Sequence, residues 1–161
     1  MKENNVGEAF DYLESGDGKI EGIGISYLTK ILYFFSPDSS REALIFDKWG
    51  QYMHAALIIC DSNSDIRNYY KFSNKANFKS ELIFVKSPKE MYLDYLSRML
   101  KMTESLGGLN IASAGHLEAF LFGDKLYKNN RNEDNPRYFI YKFVDGFFSG
   151  KTLNFGIVKK H

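Results

Sequence analysis

With 161 residues, 44% of them apolar and 25% charged, the chain has the length and composition of one folded domain (1–161) rather than of a disordered segment. Its single cysteine, Cys60, excludes a disulfide framework and a cysteine-ligated zinc or iron–sulfur centre, and His54, His116 and His161 lack metal-ligand spacing, so no metal is expected. A net charge of +1 leaves an acidic polymer open as a partner, whereas the lack of a signal peptide or of an apolar run of ~18 residues predicts no membrane association and a reducing, cytoplasmic setting.

Residues 6–15 place Ala9, Phe10 and Leu13 at helical spacing, and Gly16-Asp17-Gly18 stops that short helix. A glycine hairpin, Gly22-Ile23-Gly24, then runs into a second, strongly apolar helix over 25–35, ended by Ser36-Pro37. Ile25, Leu28, Leu32 and Phe35 fall on one side of this helix. At about 100° per residue the opposite side carries Ser26, Lys30 and Phe34, flanked by Tyr27 and Tyr33, so one lysine sits among aromatic rings. The run 43–46 is apolar and ends on Asp47, the natural N-cap of a helix over 48–60 with Tyr52, Ala55, Ala56 and Ile59 as its stripe.

Residues 61–80 read as a polar loop in which Arg67, Lys71, Lys75 and Lys79 recur every four residues, with no acid after Asp65 and with Tyr69, Tyr70, Phe72 and Phe78 between them. Such a stretch either tracks a phosphate backbone or is a solvated face. A short strand is expected over 81–86. Ser87-Pro88-Lys89-Glu90 combines a serine cap, a proline at the first helical position and a glutamate three residues after the cap, opening a helix to about Leu106. Met91, Tyr95, Met99 and Met102 form its stripe and Gly107-Gly108 its stop. Residues 114–122 give another helix, closed by Gly123. Residues 128–137 form a charged loop. Residues 137–148 read as a helix on Ile140, Phe143, Val144 and Phe147, although Asp145-Gly146 also suits a hairpin turn.

The expected fold is therefore mainly α, with a helix-hairpin-helix unit at about 6–35 and at most a few short strands. Aromatic residues make up 16% of the chain, enough to fill a core with large rings or to line a surface that stacks on flat ligands. Glu90 and Glu118 read as helix-capping and surface residues.

A helix, a Gly-x-Gly hairpin and a second helix turn the hairpin amides and the second helix N-terminus outward, towards a phosphate oxygen. Downstream of Gly24, at the end of the apolar run, stands Asp47. With these features the stretch resembles the helix-hairpin-helix DNA glycosylase superfamily, and within it the bacterial 8-oxoguanine glycosylase-type proteins. The matching residues are Glu21-Gly22-Ile23-Gly24, Leu28-Thr29-Lys30-Ile31-Leu32-Tyr33-Phe34 and Leu44-Ile45-Phe46-Asp47, with Leu117-Glu118-Ala119-Phe120-Leu121-Phe122 a weaker match downstream. The family's usual helices before the hairpin are here reduced to one.

The resemblance implies a mostly helical fold, double-stranded DNA as partner, no cofactor, and excision of a damaged or modified purine. Asp47 would stabilise the positive charge that builds on the sugar as the glycosidic bond breaks. Lys30 would be the amine nucleophile of a bifunctional enzyme, its pKa lowered by aromatic surroundings. The family's lysine position corresponds more nearly to Ser26, and a match there implies a monofunctional enzyme that uses water. Gly22, Ile23, Gly24, Ser26, Lys48, Arg67, Lys71 and Lys75 are the expected DNA contacts, and Tyr27, Trp49 and Tyr52 the rings that stack on the extruded base or fill its gap. The alternatives are a non-catalytic helix-hairpin-helix DNA-binding protein, from defence or a phage, and a helical interaction protein whose hairpin is only a turn. In those readings Asp47 is only a cap and Lys30 only a surface lysine.

Overall fold

The computed structural model describes residues 4–35, 43–74, 80–106, 113–122 and 136–150. Among these residues the chain is mainly α. The helices are α1 (Asn4–Glu14), α2 (Ile25–Phe35), α3 (Lys48–Cys60), α4 (Pro88–Ser105), α5 (Ala114–Phe122) and α6 (Pro136–Phe148), with one small sheet of β1 (Tyr70–Asn74) and β2 (Ser80–Phe84). The expected features at Ser36-Pro37, Lys75, Phe78, Lys79, Gly107-Gly108, Gly123, 128–135 and beyond Gly150 lie outside the described residues.

The capping chemistry of α4 forms as its sequence dictates. The Glu90 amide donates to the Ser87 hydroxyl at 3.3 Å and the Ser87 amide to the Glu90 carboxylate at 3.0 Å. Met91, Tyr95 and Met99 are fully buried along its stripe, and Met102 packs against the edge of the core. Helix α3 packs on α4 and α6, α1 on α2 and α4, and α5 on α4 and α6, so α4 runs past most of the bundle.

Residues 61–80 are not the continuous loop their polarity suggests. Ile66–Asn68 forms one 3₁₀ turn, and β1 pairs antiparallel with β2 in the register Tyr70↔Phe84 and Phe72↔Leu82. The strand forms because Tyr70 and Phe72 alternate with Lys71, putting both rings on the face that meets Leu82 and Phe84 while the lysine stays exposed. A second departure is Phe35, which is 81% exposed instead of completing the buried stripe of Leu28 and Leu32. At the last position of α2 it stands at the lip of an apolar groove of about 360 Å³ between α1 and α2.

Phe46 is the hub of the core. Its ring lies 5.0 Å from that of Tyr95, 5.8 Å from that of Phe84 and 6.0 Å from that of Tyr92, which in turn stacks on Phe10 at 5.6 Å. Much of the aromatic content is spent here, where each buried ring contributes roughly 1.5–3 kcal/mol. Since Phe46 immediately precedes Asp47, the centre of the core fixes where that carboxylate emerges.

Candidate active site

Helices α1 and α2 are joined by the glycine hairpin. Gly22 has φ +78°, in the left-handed region that favours glycine, while the half-buried Ile23 packs against the core and pins the turn. The Gly24 carbonyl accepts from the amides of Tyr27 at 3.0 Å and Leu28 at 3.1 Å, so α2 begins directly after it. Residue 24 has no side chain to cap the orphan amides of the first turn, and a Cβ at Gly22 or Gly24 would meet nothing within 4 Å. The hairpin therefore offers uncapped amides in open space.

The segment 43–46 belongs to no helix and to no sheet among the described residues. Its side chains Ala43, Leu44 and Phe46 are buried, so its amides need partners other than water. Two come from side chains. The Phe46 amide donates to the Thr29 hydroxyl of α2 at 3.0 Å, and the Ile45 amide donates to the Glu118 carboxylate of α5 at 2.9 Å. Thr29 is fully buried, and its hydroxyl donates in turn to the Ser26 carbonyl at 3.3 Å.

One residue on from Thr29 is Lys30, and one residue on from Phe46 is Asp47. The Thr29–Phe46 bond thus joins the two chain segments that carry the expected nucleophile and the expected carboxylate. Lys30 is half-buried, with its ammonium 5.4 Å from the ring centroid of Tyr27, itself 66% exposed. Asp47 caps α3 through one oxygen only: Oδ1 accepts from the amides of Trp49 at 2.9 Å and Gly50 at 3.2 Å, while Oδ2 has no hydrogen-bond partner among the described residues. Gly50 must be small, because a Cβ there would lie 2.6 Å from the Ile45 carbonyl oxygen.

The remaining expected residues divide. Lys48 is exposed on the first turn of α3, its ammonium 5.8 Å from the Tyr52 ring, and Trp49 is half-buried with the Arg137 guanidinium 5.6 Å from its ring. Tyr52 is 1% exposed and packs edge-on against Tyr141 at 5.2 Å, so in this conformation it is part of the α3–α6 core and not a wall open to a base. Arg67 and Lys71 are exposed on the 3₁₀ turn and on β1. Among the described residues they make no hydrogen bond, ion pair or ring contact with the hairpin, α2 or Asp47. Arg67 is held instead by a two-pronged pairing with Asp65 at 2.8–3.0 Å, which offsets one of the basic charges expected of that stretch. Glu118 is not a surface residue. It is 7% exposed, buried beside Ala114 and Leu117, and it accepts from the Ile45 amide and the Tyr95 hydroxyl. Thr29, Gly50 and Glu118 were not legible as site residues; for Glu118 the available signal was a lone acid inside a largely apolar helix.

A separate buried polar cluster lies farther along α3. His54 is fully buried, its Nε2 2.8 Å from Asp94 and its Nδ1 2.8 Å from the Tyr70 hydroxyl. Burial holds the imidazole below its usual pKa, the Asp94 carboxylate opposing it in part. A neutral ring beside an acceptor-only carboxylate carries its proton on Nε2 and accepts the tyrosine proton at Nδ1. Asp94 also accepts from Arg98 at 2.7 Å, and Arg98 reaches Asp61 and Ser64, each at 3.0 Å. Burial raises the Asp94 pKa, but the bonds from His54 and Arg98 outweigh that and bring it to about 2.

Residues 1–122 match a protein-family model described as "Putative 8-oxoguanine DNA glycosylase OGG-like protein". The chain belongs to this family. The match takes in α1, the hairpin, α2, Asp47, the sheet, α4 and α5, so the resemblance extends well beyond the stretch of about 30 residues that carries its motifs. Membership supports a glycosylase-like role and implies DNA as a binding partner. Neither a search of curated proteins nor one of solved structures returned a match. No helix among the described residues is long and apolar enough to cross a membrane.

Proposed function

We propose that this OGG-like protein excises a damaged or modified purine of the 8-oxoguanine type from double-stranded DNA in the cytoplasm, with Asp47 as electrostatic catalyst and Lys30 as nucleophile. The observation that carries the reading is the Thr29–Phe46 hydrogen bond, which ties the Lys30 helix to the Asp47 segment in the interior of the family's matched region. The α1–hairpin–α2 unit serves as the helix-hairpin-helix that grips a phosphate through uncapped amides, assisted by Ser26 and Lys48.

The chemistry follows from the charges. As the purine leaves, the sugar gains positive charge at its anomeric carbon, which a fixed carboxylate stabilises. Oδ1 of Asp47 is committed to the α3 amides, so the carboxylate cannot rotate freely, and Oδ2 is the oxygen left to face the sugar. The Lys30 amine bonds to the anomeric carbon as the purine departs with the electron pair of the glycosidic bond, and the proton released from the nitrogen goes to the purine. The resulting aminal opens to a Schiff base. Tyr27, exposed beside Lys30, would stack on the extruded base, with Trp49 as a second wall, a reading supported by the exposure of the Tyr27 ring.

Borohydride reduction tests the scheme, because it fixes a Schiff base as a covalent protein–DNA adduct. Incubation with 8-oxoguanine duplex should yield an adduct that disappears in Lys30→Ala. Trapping unchanged in that variant removes Lys30 from the mechanism. Base release without trapping selects water as nucleophile, in keeping with Ser26 as the matching position. Salt-sensitive DNA binding without base release indicates the non-catalytic DNA-binding reading instead.

A further inference from the structure

We infer that Glu118 and Thr29 are positioning residues that together set the direction in which Asp47 points, a conclusion that rests on the catalytic role proposed for Asp47. Neither touches the reacting atoms. They act through the backbone of the two residues before Asp47.

The argument begins with the segment itself. In a sheet, the amides of 45 and 46 would be held by neighbouring strands; here the segment has no such neighbour among the described residues. Each is taken by a side chain from a different helix, the Ile45 amide by Glu118 of α5 and the Phe46 amide by Thr29 of α2. The chain is thereby held between two rigid elements immediately before the carboxylate, and α3 holds the carboxylate from beyond.

Glu118 accepts from the Ile45 amide through Oε1, and a second donor reaches the same oxygen. The Tyr95 hydroxyl donates to the same Oε1 at 3.3 Å, while the Tyr95 ring stacks on Phe46 at 5.0 Å, so both sides of the Tyr95 contact bear on the same two residues. Burial first, then the charges of Glu118 and Asp47, push the Tyr95 phenol well up, so it remains a donor across the working pH range. A buried carboxylate is tolerated where it accepts hydrogen bonds, and Glu118 accepts from a backbone amide and from a phenol. Removing either acceptor strands an amide inside the protein and frees the segment to shift, and a displacement of about 1 Å at a reacting group costs on the order of 10²-fold in rate.

Amide hydrogen exchange and single-turnover base release, measured on the full chain, test the inference together. Glu118→Ala is expected to speed exchange at Ile45, and Thr29→Val at Phe46, by about tenfold, with α3 and α4 unchanged. Both variants should lower the excision rate by about 10–100-fold while duplex affinity stays within about threefold. Glu118→Gln keeps an acceptor oxygen and should restore both readouts to near wild type, and it serves with Thr29→Val should Glu118→Ala fail to fold. Unchanged exchange at Ile45 in Glu118→Ala, a rate loss that merely follows lost affinity, or a Glu118→Gln as defective as Glu118→Ala overturns the inference. A wild-type protein that releases no base overturns the glycosylase reading instead, and the clamp is then judged on exchange.

Discussion

The amide of Phe46 donates to the hydroxyl of Thr29 at 3.0 Å, and this one bond crosses from the helix of Lys30 to the segment of Asp47. It makes the spatial relation of the two candidate groups a property of the core, where Phe46 is fully buried, rather than of a loop. A site supported in this way responds to mutation in two separable currencies, fold stability and chemistry.

Asp47 separates them most cleanly, because it is both the α3 cap and the candidate catalyst. Asparagine caps a helix about as well as aspartate, so Asp47→Asn should change stability by no more than about 0.5 kcal/mol, whereas Asp47→Ala should cost about 1 kcal/mol. Both should lose on the order of 10²–10³-fold in base release, since neither supplies a negative charge to the sugar. Thermal unfolding and single-turnover excision on the same preparations give the two numbers. An Asn variant of full activity would leave Asp47 as a cap.

Gly50 tests the geometry on the other side of that carboxylate. Alanine is intrinsically favoured over glycine in a helix by about 1 kcal/mol, but here its Cβ would stand 2.6 Å from the Ile45 carbonyl oxygen and 3.4 Å from the Phe46 ring. A backbone atom cannot rotate away as a side chain would. Gly50→Ala should therefore destabilise by about 1–3 kcal/mol, as overpacking does, and denaturant melts would show it as a lower midpoint at unchanged slope.

The helices were legible because each carries its own punctuation. Ser87-Pro88-Lys89-Glu90 and Asp47 announce helix starts in a few adjacent residues, and the structure realises both caps. What stayed hidden depends on contacts distant in sequence. Glu118 meets Ile45 across 73 positions, and nothing in the α5 sequence names the partner its single acid finds. His54 meets Asp94 across 40 positions and Tyr70 across 16, with no spacing that marks either partner. Strand β1 was masked by its lysine: the alternation of Tyr70, Lys71 and Phe72 is a strand pattern, but basic residues at regular intervals in a polar stretch read more readily as a solvated face. Lys30 and Asp47 were found by resemblance, and the Thr29 bond that relates them lay between the two matched motifs.

The glycine hairpin makes a prediction about DNA that is independent of chemistry. Gly22→Ala puts a side chain where φ is +78° and should cost about 1–2 kcal/mol of stability. At Gly24 a Cβ meets no protein atom within 4 Å, so Gly24→Ala should fold normally, yet the new methyl would stand beside the amides offered to a phosphate. Duplex affinity should fall about tenfold, the scale of one charge-assisted hydrogen bond, while the slope of log affinity against log salt stays unchanged because no cation is lost. A Gly24→Ala protein that binds as tightly as wild type would place the phosphate contact elsewhere.

The His54 cluster predicts how stability depends on pH. Burial, the leading cause, lowers the His54 pKa in the folded protein, so between the unfolded value of about 6.5 and the folded value the unfolded chain binds the extra proton. Stability is therefore fully present above pH ~6.5 and declines as pH falls, with a slope of at most about 1.4 kcal/mol per pH unit for one proton. Asp94 adds a second, lower window: with its pKa brought to about 2 from 3.8, its contribution is present above 3.8 and is lost as pH falls through about 2. Chemical denaturation at fixed pH values from 7.5 to 5 should show the first decline, as an order-of-magnitude effect of about 1 kcal/mol. His54→Gln removes the titrating group while leaving an amide to face Asp94 and Tyr70, so whatever its starting stability, its profile should be flatter over the same range. A wild-type profile already flat between pH 6.5 and 5 would mean that the cluster opens and admits the proton without unfolding.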